Sequence, residues 1–505
     1  MLITSPLIDY AKQQPNKIAI DAGSQKITYR EFYDHVEQIS HYLTHYRRQN
    51  PEAEKKIAFL LPNRIEFLEV FLGAAMSGWI AIPLDPKWSE QELRVTLENC
   101  QPQLLLVDEM FRGRFSNSSK SFSIWVKQDN PWKDLEIESM DEGTNQSVSD
   151  QFSFYMGFTS GTTGIPKAFV RSHRSWLQSF EGSRIEFCFT NDDHILVPGP
   201  LVHSTFLYAA VHALYMGATV VLLDKFSPNK VIHCLLSFPI DVIYMVPTMF
   251  EALTSTMEQR EVHLEEYPLR NILSAGAKWS PQSKRKVAEA FPQANLYEFY
   301  GASELSFITI LGPDGNRRKP DSVGRAFHGV ELSIRDENGN DVKTGEVGKL
   351  YVRSELVFSG YYRNEEETNH VLVRDGWATV HDLGWIDEEG YLYLVGREKN
   401  MIIYGGLNVY PEEVEKVIKL LPEIDEAIVL GKPDKYWGER VMAVVRTKQG
   451  MQITDREIQV HCRKFLAHYK CPREMIRIAE LPYTSSGKIA RKLLMDRILD
   501  SRSEK

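Results

Sequence analysis

The chain has 505 residues, which is too many for one hydrophobic core, so we expect two to four structural units. Its composition, 43% hydrophobic and 25% charged, is typical of a soluble globular protein. The net charge of −9 argues against non-specific nucleic-acid binding, and no nucleic-acid partner is expected.

The cysteines and the apolar stretches indicate a cytoplasmic location. The five cysteines are odd in number, are spread along the chain and form no CxxC pair, which predicts reduced thiols. The first residues lack the basic region and apolar run of a secretion signal. The most apolar stretch, 204–223, divides into a helix (205–216), a Gly-Ala turn and a buried strand, so no integral membrane segment is expected.

Short apolar runs alternate with helical patterns along the first part of the chain. This alternation predicts an α/β fold with parallel sheets that are buried on both faces. The predicted elements are strand 56–61, helix 66–78, strand 80–84, and later strands 242–246, 271–274 and 295–300. Residues 112–150 are rich in Ser, Asn, Asp and Lys and are expected to form an irregular excursion before the next strand.

The pattern changes towards the C-terminus. From Gly345, short strands and glycine turns predict an antiparallel or β-barrel-like subdomain. After Gly396 a compact α+β region follows, with helix 411–421, strands 426–431 and 440–447, and helix 455–466. We therefore expect a large domain, 1–396, and a small mobile domain, 397–505.

The run from Phe158 to Lys167 combines hydroxyls, glycines and one cation in a single turn, which suits a polyphosphate. Glycines let backbone N–H groups face a ligand, and hydroxyls and a lysine bind its oxygens. It is not a Walker A loop, because Gly164 is followed by Ile-Pro-Lys. An ordinary Ser/Thr/Gly loop is the alternative. The candidate ligands are Thr159, Ser160, Gly161, Thr162, Thr163, Gly164 and Lys167.

Two further segments carry candidate chemistry. Tyr300 and Glu304 follow a predicted strand, where an aromatic ring suits a purine and a carboxylate suits Mg²⁺. Lys488 lies on a Gly-preceded turn that leads into the last helix, although a helix N-terminus does not favour a cation. Taken alone, such residues are more often a packed ring and solvated charges.

Together the three segments resemble the signatures of the acyl-adenylate-forming superfamily, which includes acyl-CoA synthetases, peptide-synthetase adenylation domains and beetle luciferases. The resemblance covers nearly the whole chain, apart from 112–150 and the last residues. Further segments match the family in order, at 27–32, 60–63, 73–86, 274–277, 344–348, 379–382, 396–399 and 404–415.

The resemblance implies a reaction in two halves and a role for each motif. A carboxylic acid and ATP give acyl-AMP and pyrophosphate, and CoA then displaces AMP. The loop would hold the phosphates, Glu304 with Thr163 would hold Mg²⁺, and Lys488 would approach the α-phosphate. Asp382 and Arg397 would bind the ribose, and Lys399 would be the hinge, although an ordinary surface lysine is as plausible. The remaining nucleotide and thiol positions are Gly276, Ala277, Glu298, Tyr300, Gly301, Ser303, Gly405 and Gly406.

Three positions need comment. His203 occupies the place of a family residue beside the acyl carboxylate, with a packed core histidine as the alternative. His381 stands where the family has glycine, which puts the ribose geometry in question. Ser303 replaces the threonine that usually precedes the metal glutamate, and it keeps the hydroxyl.

The resemblance and the residue types near His203 also lead to predictions of the substrate class and of the acceptor. Residues 201–210 contain no acidic side chain, which disfavours an amino acid. An apolar candidate lining favours a fatty or aryl acid, and it consists of Phe206, Tyr208, Leu305, Phe307 and Ile308. Lys278 and Arg184 are candidates for a second carboxylate clamp, and the chain length of the acid is open. CoA is the expected acceptor. The alternatives are transfer to an acyl carrier protein and a non-catalytic binding protein of the same fold.

Overall fold

The computed structural model describes residues 1–51, 54–115, 123–126, 148–159, 166–264, 266–276, 278–404, 407–434, 436–483 and 489–503. The chain divides into two compact units. The first contains Met1–Glu331 and Val352–Ala378, and the second contains Leu332–Tyr351 and Thr379–Lys505. The predicted domain boundary between residues 396 and 397 rests on the compact α+β sequence pattern that begins after Gly396, and it stays a prediction.

The described strands, in chain order, are β1 (Ile18–Asp21), β2 (Lys26–Thr28), β3 (Lys56–Leu60), β4 (Ile80–Pro83), β5 (Leu104–Asp108), β6 (Ser123–Val126), β7 (Ser153–Thr159), β8 (Lys167–Ser172), β9 (His194–Val197), β10 (Thr219–Leu222), β11 (Val242–Tyr244), β12 (Asn271–Ser274), β13 (Asn295–Ala302), β14 (Ser306–Leu311), β15 (Arg325–Ala326), β16 (Glu331–Arg335), β17 (Gly348–Arg353), β18 (Gly360–Tyr361), β19 (Trp377–Ala378), β20 (Asp382–Ile386), β21 (Leu392–Arg397), β22 (Ile402–Tyr404), β23 (Leu407–Val409), β24 (Ile424–Asp434), β25 (Gly438–Thr447) and β26 (Glu474–Arg477).

The described α-helices are α1 (Leu7–Gln13), α2 (Tyr29–Gln49), α3 (Ile65–Met76), α4 (Glu90–Cys100), α5 (His173–Phe187), α6 (Ser204–Met216), α7 (Pro228–Ser237), α8 (Pro247–Arg260), α9 (Pro281–Ala290), α10 (Pro313–Arg318), α11 (Glu365–Val371), α12 (Pro411–Ile418), α13 (Asp455–Phe465) and α14 (Arg491–Ser503). Short 3₁₀ turns cover Glu109–Phe115, Arg374–Gly376, Glu398–Asn400 and His468–Lys470.

The first unit contains two predominantly parallel sheets, as the alternating pattern predicts. The nine-stranded sheet has the order β15-β14-β13-β12-β11-β9-β10-β1-β2, and the seven-stranded sheet has the order β18-β8-β7-β4-β3-β5-β6. Antiparallel pairs occur towards the edges, at β13–β14, β14–β15 and β1–β2 in one sheet and at β7–β8 and β8–β18 in the other. The predicted parallel α/β architecture is confirmed.

Local sequence explains the helices that cover these sheets. Thr28 and Glu31 form a capping box that starts α2, with the Thr28 side chain accepting from the Glu31 N–H. α3 is apolar except for Glu66 and Glu69, and its residues from Ile65 to Ala75 are all buried. A helix with so few polar residues has to be enclosed by other elements, and α3 is.

The apolar stretch 204–223 is confirmed as a helix, a turn and a strand. α6 ends at Gly217, which adopts φ +80°, and β10 follows as a buried strand. No helix within the described ranges combines the length and the apolar character needed to cross a membrane. The excursion 112–150 contains one described strand, β6, which pairs in parallel with β5, so it is less irregular than predicted.

The second unit contains two sheets. In one, β16, β17, β20 and β21 follow one another in a linear order, and β20 pairs antiparallel with both β17 and β21. The antiparallel pairing is as predicted, and barrel-like closure is not part of the described pairing. In the other sheet, Val429 packs with residues of α12 and α13, whereas its neighbour Ile428 packs with residues of α14. Alternation along β24 therefore gives this unit two small cores.

Candidate active site

The predicted phosphate loop joins two paired strands of the first unit. β7 ends at Thr159 and β8 begins at Lys167, and these two residues lie opposite each other in the antiparallel ladder. Ser160, Gly161, Thr162, Thr163 and Gly164 lie outside the described residues. The described flanks therefore fix where the loop starts and ends, and its phosphate contacts stay a prediction.

Lys167, the cation of that run, makes an ion pair with a residue on α11. Its Nζ lies 2.7 Å from Oε1 of Glu367 and 5.9 Å from the centre of the Tyr361 ring. The Lys167 side chain is 24% exposed, so it is accessible from solvent. Glu367 and Tyr361 were not identified from the sequence.

Glu304, the predicted metal ligand, lies on the turn between β13 and β14 and is only 9% exposed. The Tyr361 hydroxyl donates to its Oε1 at 2.5 Å, and its backbone oxygen accepts from the N–H of Phe358 at 2.8 Å. Among the described residues Glu304 makes no ion pair. The carboxylate is thus buried, oriented by a neutral donor, and not neutralised by a contacting cation.

Arg171 on β8 donates hydrogen bonds to two segments near Glu304: the turn between β13 and β14, and the residues that precede β18. Its Nη1 donates to the Ser303 oxygen at 3.1 Å, and its Nη2 donates to the Leu356 oxygen at 2.5 Å. Burial lowers the pKa of Arg171 to about 10, although Tyr155 and Glu304 act in the opposite direction, so the guanidinium stays charged at neutral pH. A single arginine directly after the apolar residues 168–170 of β8 is the sequence signal that would have found it.

Two segments that were predicted to contribute to nucleotide binding, the end of β12 and the strand β13, lie side by side in the nine-stranded sheet. Ser274, the last residue of β12, pairs with Glu298 on β13. Gly276 follows with φ +89°, a conformation that favours glycine. Such ends of parallel strands are where α/β sheets bind ligands. Ala277 lies outside the described residues.

Glu298 has structural partners in the first unit. It pairs with Lys284 and accepts from the N–H of Trp279 at 3.3 Å. Burial raises the pKa of Glu298, although Lys284 acts in the opposite direction. These contacts tie β13 to the turn after β12, and a direct role of Glu298 in nucleotide binding stays a prediction.

The segment from Tyr300 to Ser303 contains the end of β13 and the first residue of the turn that leads to β14. Tyr300 is half-buried and pairs with Thr309. A Cβ on Gly301 would lie 2.1 Å from the backbone oxygen of Ser306, so only glycine fits this position. Ser303 is held through its backbone oxygen by Arg171. The hairpin accounts for Gly301 sterically, and its contact with nucleotide stays a prediction.

His203 immediately precedes α6, in extended conformation, and is half-buried. Burial lowers the pKa of its imidazole, Asp85 raises it and Lys87 lowers it, with a net decrease. The ring is therefore neutral at physiological pH. Its place beside the acyl carboxylate stays a prediction.

The side chains predicted to line the acid pocket are buried and apolar. On α6, Phe206 and Tyr208 are 3% and 6% exposed, and the Tyr208 ring lies 5.1 Å from Phe307 on β14. The two candidates for a carboxylate clamp are engaged elsewhere: Arg184 with Glu181 at 2.8 Å, and Lys278 with the backbone oxygen of Asp321.

The second unit brings together the predicted ribose-binding residues. Asp382 on β20 and Arg397 on β21 lie opposite each other in the ladder, and Nε of Arg397 donates to Oδ1 of Asp382 at 2.7 Å. Asp382 is 5% exposed. The pairing orients a buried carboxylate and compensates its charge.

His381 adopts a conformation that normally requires glycine. Its φ is +61°, which explains why glycine suits this place. Its N–H donates to Oγ1 of Thr379 at 3.0 Å, and its Nδ1 lies 3.0 Å from Oε2 of Glu398. The imidazole is thus directed to Glu398, whose other partner is Lys349 at 2.8 Å.

Lys399 is exposed within the short turn Glu398–Asn400, and its hinge role stays a prediction. Gly405, Gly406 and Lys488 lie outside the described residues. Tyr483 and Ile489 pair across residues 484–488, so the ends of the segment that carries Lys488 are brought together.

Arg491 anchors the chain just after that segment. Its Nη2 donates to Oε1 of Glu415 at 2.6 Å, and its Nη1 donates to the Val429 oxygen at 2.8 Å. Burial raises the pKa of Glu415, which Arg491 opposes. Neither residue was identified from the sequence.

Comparisons with known proteins identify the family of the chain. Residues 7–362 match the model of the AMP-binding enzyme family, and residues 413–488 match the C-terminal domain of that family. The chain is 42% identical to YhfT of Bacillus subtilis, an uncharacterised acyl-CoA ligase, over 97% of both chains. It is 31% identical to VraA of Staphylococcus epidermidis, whose name assigns it provisionally to the long chain fatty acid-CoA ligases, again over 97% of both.

Solved structures with the same fold contain nucleotide ligands. ATP-bound MatB from Rhodopseudomonas palustris is 26% identical with a TM-score of 0.87, covering 98% of this chain and 99% of MatB. The o-succinylbenzoate CoA synthetase MenE from Bacillus subtilis is 27% identical with a TM-score of 0.84, and its structures contain an acyl-adenylate or ATP with a magnesium ion. Each of those two structures covers 97% of this chain and at least 97% of MenE.

Proposed function

The chain belongs to the AMP-binding enzyme family and is an acyl-CoA synthetase, and from this premise we propose that its substrate is a fatty or aryl carboxylic acid. It joins an acid to CoA at the expense of ATP, through an acyl-AMP intermediate. The observation that carries the substrate class is the buried apolar surface of α6 and β14, together with the engagement of Arg184 and Lys278 by other groups.

In the first half-reaction an oxygen of the acid carboxylate forms a bond to the α-phosphorus of ATP, and the bond to the pyrophosphate oxygen breaks. Both partners are anionic, so the obstacle is electrostatic. We assign Lys167 and the preceding loop to the leaving phosphates and Lys488 to the reacting oxygens. In the second half-reaction the CoA sulfur attacks the acyl carbonyl and AMP leaves.

Asp382 and Arg397 are assigned to the ribose. A carboxylate whose charge is compensated by a guanidinium still accepts hydrogen bonds from neutral hydroxyls. Their 2.7 Å contact holds the acceptor in one orientation before the nucleotide arrives.

His203, being neutral at physiological pH, is assigned to the neighbourhood of the acid carboxylate, where it orients the acid without a strong charge interaction.

Glu304 suits a magnesium ion. No group of three or more His, Cys, Asp or Glu side chains in the described part of the chain forms a metal site. Mg²⁺ does not need one, because it is commonly held by one or two carboxylates and substrate phosphates. Glu304 is a buried carboxylate oriented by a neutral hydroxyl, which fits this mode. When bound, the ion supplies positive charge against the phosphates.

We also place the enzyme in the cytoplasm, since all five cysteines are free thiols. An acyl carrier protein is the alternative acceptor, and it is distinguished from CoA by product analysis.

The proposed function is tested with a panel of fatty, aryl, dicarboxylic and amino acids, assayed by pyrophosphate release with and without CoA. We expect release with fatty or aryl acids and formation of the corresponding acyl-CoA. A preference for dicarboxylic or amino acids contradicts the substrate class. Acyl-AMP that CoA cannot discharge but a carrier protein can identifies the alternative acceptor. No pyrophosphate release with any acid supports the non-catalytic alternative.

A further inference from the structure

Tyr361 occupies the edge of the seven-stranded sheet, where its position is fixed from several sides. It pairs with Phe169 of β8, and its N–H donates to Oγ1 of Thr368 at 2.8 Å. Its ring meets that of Phe358 edge to face, with centres 5.1 Å apart and an interplanar angle of 84°. A side chain held by its ladder, its backbone and its ring has little freedom to reorient.

The hydroxyl of this fixed side chain donates to Oε1 of Glu304. A hydrogen bond to a carboxylate is strong enough to select one rotation of that group. Because a phenol is neutral, it does so without compensating the negative charge. A lysine or arginine in the same place would orient Glu304 equally well but would compete with a divalent cation.

The same edge also contacts the end of the phosphate loop. Lys167 pairs with Glu367 on α11, which follows Tyr361, and the ammonium group lies 5.9 Å from the Tyr361 ring. The segment formed by β18 and α11 therefore contacts both the lysine at the loop end and the carboxylate proposed for the metal. A change in this segment can therefore affect Lys167 and Glu304 together while the other elements of the site stay in place.

We propose that Tyr361 is a positioning residue that orients Glu304 for Mg²⁺ in the magnesium-dependent binding of ATP. This rests on the proposed function in assigning Glu304 to the metal. It does not depend on which acid is the substrate, because ATP binds before any acid reacts.

The test is Tyr361→Phe, which removes the hydroxyl and keeps the ring. Its matched control is Tyr362→Phe, because the neighbouring hydroxyl also bonds a carboxylate, donating to Glu54 at 3.1 Å, and within the described residues it makes no hydrogen bond to Glu304. ATP binding to the full chain is measured by calorimetry without any acid, once with excess Mg²⁺ and once with EDTA. Unfolding midpoints without ligand show whether either variant is misfolded.

We expect Tyr361→Phe to weaken ATP binding in Mg²⁺ by about five- to tenfold and to leave binding in EDTA unchanged. Tyr362→Phe should match the wild type in both. In a Glu304→Gln background, Tyr361→Phe should cause no further loss, because the carboxylate it orients is gone.

Three results overturn the inference. The first is unchanged binding of ATP by Tyr361→Phe in Mg²⁺. The second is an equal loss with Mg²⁺ and with EDTA, which would mean that the hydroxyl acts on ATP and not through Glu304. The third is full additivity with Glu304→Gln. Failure of every acid to be activated, with the magnesium-dependent effect intact, contradicts the proposed function and leaves this inference standing.

Discussion

Two buried carboxylates, one in each unit, are held by partners of different charge. Glu304 is 9% exposed and receives a neutral phenol, whereas Asp382 is 5% exposed and faces a guanidinium. A neutral donor leaves the full negative charge available, and an ion pair compensates it. The first arrangement suits a divalent cation, and the second suits neutral hydroxyls. The charge of the partner thus distinguishes a carboxylate suited to a metal ion from one suited to hydroxyl groups, which the presence of a carboxylate alone does not.

The largest effect is expected from Glu304→Gln. The amide keeps the shape of the side chain but loses the charge, so acid-dependent exchange of pyrophosphate into ATP should fall by about two orders of magnitude or more. ATP binding should also lose most of its dependence on Mg²⁺. The measurement is exchange at a series of magnesium concentrations.

Asp382→Asn is the matching change in the second unit. It should weaken ATP binding while preserving the response to Mg²⁺. Equal loss of the magnesium response in both variants would remove the distinction between the two carboxylates.

Arg397→Gln makes the partner of Asp382 neutral, as the partner of Glu304 already is. The loss of a charge-assisted hydrogen bond should weaken ATP binding by about tenfold, to the same extent with Mg²⁺ and with EDTA. Arg446→Gln is the control, since Arg446 also pairs with an aspartate of this unit, Asp425, at 2.6 Å. Calorimetric titration of ATP gives both values. An effect of Arg397→Gln confined to magnesium would assign Asp382 to the metal.

His381→Gly and His381→Ala test the backbone beside Asp382. Both remove the contact with Glu398, so they differ only in how well they tolerate φ +61°. We expect the glycine variant to be more stable than the alanine variant by about 1 kcal/mol in urea unfolding. At the exposed helical position Lys416 the same pair should show the opposite order. Alanine more stable than glycine at 381 would mean that the backbone there is not strained.

The smallest effect concerns the pH dependence of Glu398. Burial raises the pKa of Glu398, but Lys349 and His381 outweigh it, so the net pKa is lowered. A carboxyl with a lowered pKa contributes stability above its unfolded pKa, and that contribution is lost as pH falls through the folded pKa. Lys349→Met should therefore destabilise the chain at neutral pH and less so at pH 3. A loss that does not diminish in acid would show that the ion pair is not its cause.

Patterns that are local in sequence predicted most of the fold. The strands at 56–60, 80–83, 271–274 and 295–302 and the helices beginning at 411 and 455 lie where periodicity placed them, because buried parallel strands and amphipathic helices carry their signal in consecutive residues. Gly301 is similarly explained, since its turn brings Ser306 within contact distance.

The contacts between distant segments were not predictable in the same way. Tyr361 and Glu304 are separated by 57 positions, and no periodicity relates them. Arg171 contacts Ser303 across 132 positions. The left-handed conformation of His381 is accompanied by contacts with Thr379 and Glu398, and only the glycine of the resembled family at this place hinted at it. Such residues orient the groups that short motifs reveal.

Magnesium-dependent activation of an acid as acyl-AMP is tested most directly by exchange of labelled pyrophosphate into ATP, using the purified chain with a fatty or aryl acid and Mg²⁺ and without CoA. Exchange in this assay requires reversible formation of acyl-AMP and nothing else. We expect exchange that depends on the acid and on magnesium and is lost in Glu304→Gln. Exchange that needs no acid, or that survives unchanged in Glu304→Gln, would contradict acyl-AMP formation with magnesium held by Glu304.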